Sequence, residues 1–184
     1  MGAKLGFRDS LKKSTVHFEE LIKPLLEKYR RFKNITSVEA NSTEQLADML
    51  DQTAGIDAFF CNDTGLGGIA SRIQPNCYKS FDTFTVRKSR ESGAKTEYEK
   101  RKAAIDSRGE LIYPYYTLQA YLGKQEELIS YAIAKTEDII NLIDDGECYV
   151  NHTGQTQKGQ AEFYVVNWTS FEKNNKPIYI YRHE

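Results

Sequence analysis

Asp57 is the chain's strongest chemical signal. It lies in Ala54-Gly55-Ile56-Asp57-Ala58-Phe59-Phe60, an otherwise apolar run. A carboxylate is costly to bury unless it binds a cation or accepts strong hydrogen bonds. The next run, Gly68-Ile69-Ala70-Ser71-Arg72-Ile73-Gln74, reads as a partner strand, on which Ala70, Arg72 and Gln74 share one face. Asp57 is therefore a candidate metal ligand, with a cross-hairpin pair to Arg72 as the competing role. Both roles remain open from the residues alone.

A second polar group follows. In Phe81 to Lys88 alternation places Thr83, Thr85 and Arg87 on one face. Thr85, Arg87, Lys88 and Arg90, with Lys95 and the basic run Lys100-Arg101-Lys102 beyond, suit phosphate contacts. The same helix allows Glu97 and Arg101 to pair at i, i+4 on a solvated face. Tyr113, Tyr115, Tyr116 and Tyr121 with Gln119 allow base stacking, although an aromatic strand is more often core. Gly65, Gly67 and Gly68 lack the Lys-Ser/Thr ending of a phosphate loop, and a strand follows them rather than a helix. A Cys-His hydrolase built from Cys61 or Cys77 with His152 has no supporting context.

These residues need elements to hold them. A helix is expected from Val16 to Phe32, with a kink or late start at Pro24. A short strand at Ile35 to Glu39 and a short helix opening at Asn41-Ser42-Thr43-Glu44 come next. Ile56 to Cys61 and Ile69 to Gln74 form a hairpin around Asn62 to Gly68. Thr96-Glu97-Tyr98-Glu99 is a capping box for a helix reaching about Ile105. Leu111 to Leu122 is a Tyr-rich strand bent near Pro114, and Glu126 to Ile143 reads as one amphipathic helix. Cys148 to His152, Glu162 to Phe171 and Pro177 to Tyr181 read as strands. The sum is an α/β protein with a mixed central β-sheet flanked by helices.

With 184 residues the chain is expected to be a single domain, 1–184, with 147–184 a C-terminal β extension. Twelve Tyr and nine Phe provide material for a core, and Trp168 is expected in core or interface. The formal net charge of −1 announces no global affinity for polyanions, but its distribution is uneven. The N-terminal thirty or so residues and the stretch Arg87 to Lys102 are basic, and Glu126 to Glu147 is acidic. Three scattered cysteines imply neither a disulfide framework nor a zinc site. No apolar run is long enough to span a membrane, and no signal peptide is evident, so a cytoplasmic location without membrane contact is expected.

A helix, then Gly-Ile-Asp on a strand, then a hairpin to a strand with polar residues two apart resembles the PD-(D/E)XK, or restriction-endonuclease-like, nuclease core. The resemblance extends over roughly Val16 to Gln119 in element order. It implies Mg²⁺ at Asp57, because a hard, oxygen-ligated cation stabilises charge on the phosphate and activates water. The chain departs from the family pattern twice, with Arg72 at the second acidic position and Gln74 at the Lys position. Glu20 or Glu39 would then complete the metal site, Gln74 would orient water or phosphate, and Arg72 would neutralise the scissile phosphate. The function implied is nucleic-acid binding, DNA before RNA, with Mg²⁺-dependent phosphodiester hydrolysis as its chemistry and a homodimer as a compatible assembly. The alternative is a non-enzymatic interaction protein of a phage or mobile element that uses a nuclease-like fold.

Overall fold

The computed structural model describes residues 13–38, 50, 54–63, 65–89, 93–152 and 161–183. Residues 13–17 are helical, a π-helical turn spans Phe18–Ile22, and α1 (Lys23–Leu26) follows. The Lys23 N–H reaches back to the Phe18 carbonyl. Pro24 has no N–H to donate, and the wider π turn absorbs the ladder irregularity just before it. The helix stops at Leu26, short of the expected Phe32. Phe32 instead packs edge-on against Phe60 and Tyr116, with ring centroids 5.8 and 4.9 Å away.

Among the described residues nine strands form two sheets. The larger runs β1 (Thr36–Ser37), β2 (Ala58–Asn62), β3 (Gly65–Gln74), β5 (Tyr116–Leu122), β6 (Leu128–Lys135), β9 (Ile178–Arg182) in spatial order. All its neighbours are antiparallel except β3 and β5, which are parallel. The smaller sheet is β4 (Thr83–Arg87), β8 (Glu162–Asn167), β7 (Tyr149–His152), antiparallel throughout. The mixed α/β class is thus present, and the alternating run Phe81 to Lys88 supplies β4 to the second sheet. The helix α2 (Glu97–Asp106) lies between β4 and β5 in the chain and begins with the expected capping box.

The reading of Glu126 to Ile143 as one helix is corrected. Leu128–Lys135 is strand β6, and only Thr136–Asp144 is helical, as α3. β6 lies between β5 and β9 and is covered on both faces, so its apolar residues run almost without interruption. Such a run has no period that separates it from a buried helix. The Gly123 N–H bonds the Glu127 carbonyl at 2.8 Å and closes the β5–β6 hairpin. Likewise Glu162 to Phe171 divides into β8 and a short helix, α4 (Trp168–Lys173). The short helix expected from Asn41 lies almost wholly outside the described residues.

The large sheet carries a core on each face. Tyr116, Leu118, Ala120 and Leu122 of β5 pack with Phe18, Ile22 and Leu26 on one side. On the other, Ala132 and Ala134 pack with Phe84, Val86, Trp168 and the apolar side of α3. No helix among the described residues is long and apolar enough to cross a membrane.

Gly67 lies under the Phe60 ring, and a Cβ there would come within 2.5 Å of it. Phe60 packs against Phe32 and Tyr116, ring centroids 5.8 and 5.6 Å away, which restricts how its ring can shift. Gly67→Ala should therefore cost about 1–3 kcal/mol by overpacking. Pairing it with Phe60→Leu should recover part of that loss, read as coupling in a denaturant-unfolding cycle.

Candidate functional site

Asp57 heads strand β2, and its backbone continues the ladder. Its N–H bonds the Ile69 carbonyl at 2.9 Å, and its carbonyl accepts the Val38 N–H at 2.8 Å. Its Oδ2 accepts the Ser71 N–H at 2.5 Å. The carboxylate borders a cavity of about 290 Å³ between β3, β4, β5 and α2.

Arg72 reaches that cavity from β3, and its salt bridge is to Glu97, Nη2 to Oε2 at 2.8 Å. Its Nη1 donates to Thr85 Oγ1 at 3.1 Å, and Thr85 in turn donates to Gln119 Oε1 at 3.1 Å. The second oxygen of Glu97 meets Arg101 Nη2 at 2.6 Å, and the Arg87 N–H donates to Oε2 at 3.1 Å. Arg101 is only 4% exposed, and it also donates to Thr117 Oγ1 at 3.2 Å. The guanidinium groups of Arg72 and Arg87 lie 5.3 and 5.5 Å from the centre of the Phe163 ring.

Local sequence explains the placement of Glu97. Thr96 caps α2, and its Oγ1 accepts the Glu99 N–H while Glu99 Oε2 accepts the Thr96 N–H. Glu97 is then the first residue of the helix, where the backbone dipole favours an anion. Burial alone would raise its pKa. The charges of Arg101 and Arg72, then the Arg87 N–H, outweigh burial and hold it down to about 2. Burial lowers the Arg101 pKa, and the Glu97 carboxylate opposes that loss.

The expected site residues are only partly brought together. Asp57, Arg72, Thr85 and Arg87 line the cavity, joined there by Lys100. Lys88 pairs with Glu162 at 3.1 Å. Gln74 is exposed at the end of β3, and its carbonyl accepts from Cys77 Sγ. Glu20 is exposed on the helical segment that covers the opposite face of the large sheet. Glu39 and Arg90 lie outside the described residues. Tyr116 and Tyr121 are buried, whereas Tyr115 is 43% exposed.

Glu97 and Arg101 are the residues whose role the sequence understates. Their i, i+4 spacing and the capping box are both legible. Their enclosure is not, because the basic look of α2 disguises a buried face.

Among the described residues the donor set around Asp57 does not fit Mg²⁺. That ion wants near-octahedral oxygen ligation. Here Arg72 stands where a second acidic ligand is needed, and the other carboxylate of the cavity is held between two guanidinium groups. Among the described residues no group of three His, Cys, Asp or Glu side chains is placed to hold a metal.

Depression of the Glu97 pKa means that its stabilising contribution is full above the unfolded-state value near 4.5. That contribution is lost as pH falls towards about 2. Glu97→Gln should flatten the acid limb of a stability-versus-pH curve over that window. At neutral pH it should destabilise the fold by roughly 3–5 kcal/mol, because Arg101 is left buried without its carboxylate. Urea unfolding monitored by circular dichroism across the pH range checks both effects.

No family model matches the chain, and no curated protein or solved structure is significantly similar to it.

Proposed function

We propose that the protein binds nucleic acid by taking a backbone phosphate into this cavity, and that it binds without cutting. One observation carries the reading. Among the described residues, Arg72, Arg87, Lys100 and Arg101 line the cavity together with two carboxylates, Asp57 and Glu97. Planar guanidinium groups with nearby hydroxyls match phosphate oxygens in geometry and charge. Thr85 and Thr117 supply the hydroxyls. Glu97 and the Phe163 ring hold the guanidinium groups in place, so the site is largely organised before a ligand arrives.

The restriction-endonuclease-like core enters the proposal as scaffold. What supports it is element order: a helix, the β2–β3 hairpin headed by Asp57, then α2, then β5 returning parallel to β3. The hydrolytic half of that resemblance has no matching donor set at Asp57 among the described residues. The chain is therefore read as a binding module on a nuclease-like core.

Anisotropy with labelled single-stranded DNA, duplex DNA and RNA tests the proposal. Binding should be the same in Mg²⁺ and in EDTA and should weaken as salt rises. Arg87→Gln and Lys100→Gln should each lower the salt slope by about one, as for a lost phosphate contact. Unchanged binding in folded variants would sink the proposal. Metal-dependent cutting that Asp57→Ala abolishes would restore the nuclease.

A further inference from the structure

We infer that a second surface, a groove on the opposite face of the large sheet, receives the unpaired bases of a single-stranded nucleic acid. The inference names the ligand class of the proposed function and rests on that reading, but it involves different residues.

The groove has a volume of about 840 Å³. Tyr116 and Phe60, both buried, form its floor with the half-buried Tyr179, and Tyr29 and Tyr115 are the rings open to a base at its margin, 38% and 43% accessible. Tyr115 is held edge-on against Tyr116, ring centroids 4.9 Å apart at 77°, so its orientation is fixed while part of its ring faces solvent. Gly65 and Gly67 keep the neighbouring wall of β3 free of side chains, and Leu66 between them is 72% exposed.

Cations are interleaved with these rings. The Arg31 guanidinium lies 5.8 Å from the Tyr179 ring centre and donates to the Tyr116 hydroxyl at 3.2 Å. Lys135 Nζ is 5.6 Å from the Tyr115 ring centre. Arg30 completes the set. Its partner Asp63, the one carboxylate among the described residues that line the groove, is 3.5 Å away, and both side chains are more than four-fifths exposed. A pair so exposed is readily exchanged for a phosphate contact.

Aromatic faces with interspersed cations are what a single strand requires. Each base offers a π face, each linkage carries a negative charge, and stacking is sequence-tolerant. A duplex keeps its base faces stacked internally and cannot use the rings. An acidic peptide would satisfy the cations and leave the aromatic faces unused.

The test measures anisotropy of a labelled oligothymidylate and of a labelled hairpin duplex against wild type, Tyr115→Ala, Tyr115→Phe, Lys135→Gln and the cavity variant Arg87→Gln. Tighter binding of the oligothymidylate than of the duplex is expected. Tyr115→Ala should weaken single-strand binding about tenfold, Tyr115→Phe should retain it, and Lys135→Gln should weaken it and lower the salt dependence. Wild-type binding by folded Tyr115→Ala overturns the groove inference, as does equal affinity for both probes. So does equally effective competition by polyglutamate. Under any of these results, weakened binding by Arg87→Gln would leave the cavity reading standing. No binding of either probe would remove both.

Discussion

Much of this fold depends on finding partners for one almost fully buried cation. Arg101 points into the interior from α2, and its charge is tolerable there only because Glu97 lies one helical turn away. Glu97 has two further partners, the Arg72 guanidinium from β3 and the Arg87 N–H from β4. One carboxylate therefore joins a helix, a strand of the large sheet and a strand of the small sheet. The capping box that starts α2 fixes where that carboxylate sits.

The same constraint shapes the joint between the sheets. β5 turns Tyr116, Leu118, Ala120 and Leu122 to the core under α1, and Thr117, Gln119 and Tyr121 to the other side. That second row is tied by polar contacts. Thr117 accepts from Arg101, Gln119 accepts from Thr85, and the Tyr121 hydroxyl lies 2.8 Å from Thr83 Oγ1. Tyr121 also packs tilted against Trp168, which is 1% exposed, so the joint becomes apolar away from the cavity. Directional contacts at one end and close packing at the other hold the small sheet in one orientation. The cavity keeps its shape because of that joint.

Sequence made some of this legible and hid the rest for identifiable reasons. The β2–β3 hairpin, the α2 cap and the β4 strand carry local signals in turn residues, capping chemistry and β-branched content, and each was readable. β6 was not, because a strand buried on both faces loses the alternation that marks a strand. The Thr136-Glu137-Asp138 start of α3 was the available clue, a polar break inside the apolar run. The site was half legible. Asp57, Arg72, Thr85 and Arg87 do share a cavity, but strand alternation could not show that Glu97, distant in sequence, becomes the partner of Arg72. That pairing is tertiary and depends on how α2 docks.

Position 72 weighs heavily in the charge of the cavity. With Arg there, four cations and two carboxylates line it among the described residues. An acidic residue there would give three cations and three carboxylates among the same lining residues. Arg72 instead draws Glu97 into a salt bridge, and Arg87 and Lys100 line the same wall. Asp57 then serves the backbone, accepting the Ser71 N–H next to Arg72 on the strand that carries it. The carboxylate thereby belongs to the frame of the cavity, tied to the strand from which Arg72 reaches Glu97.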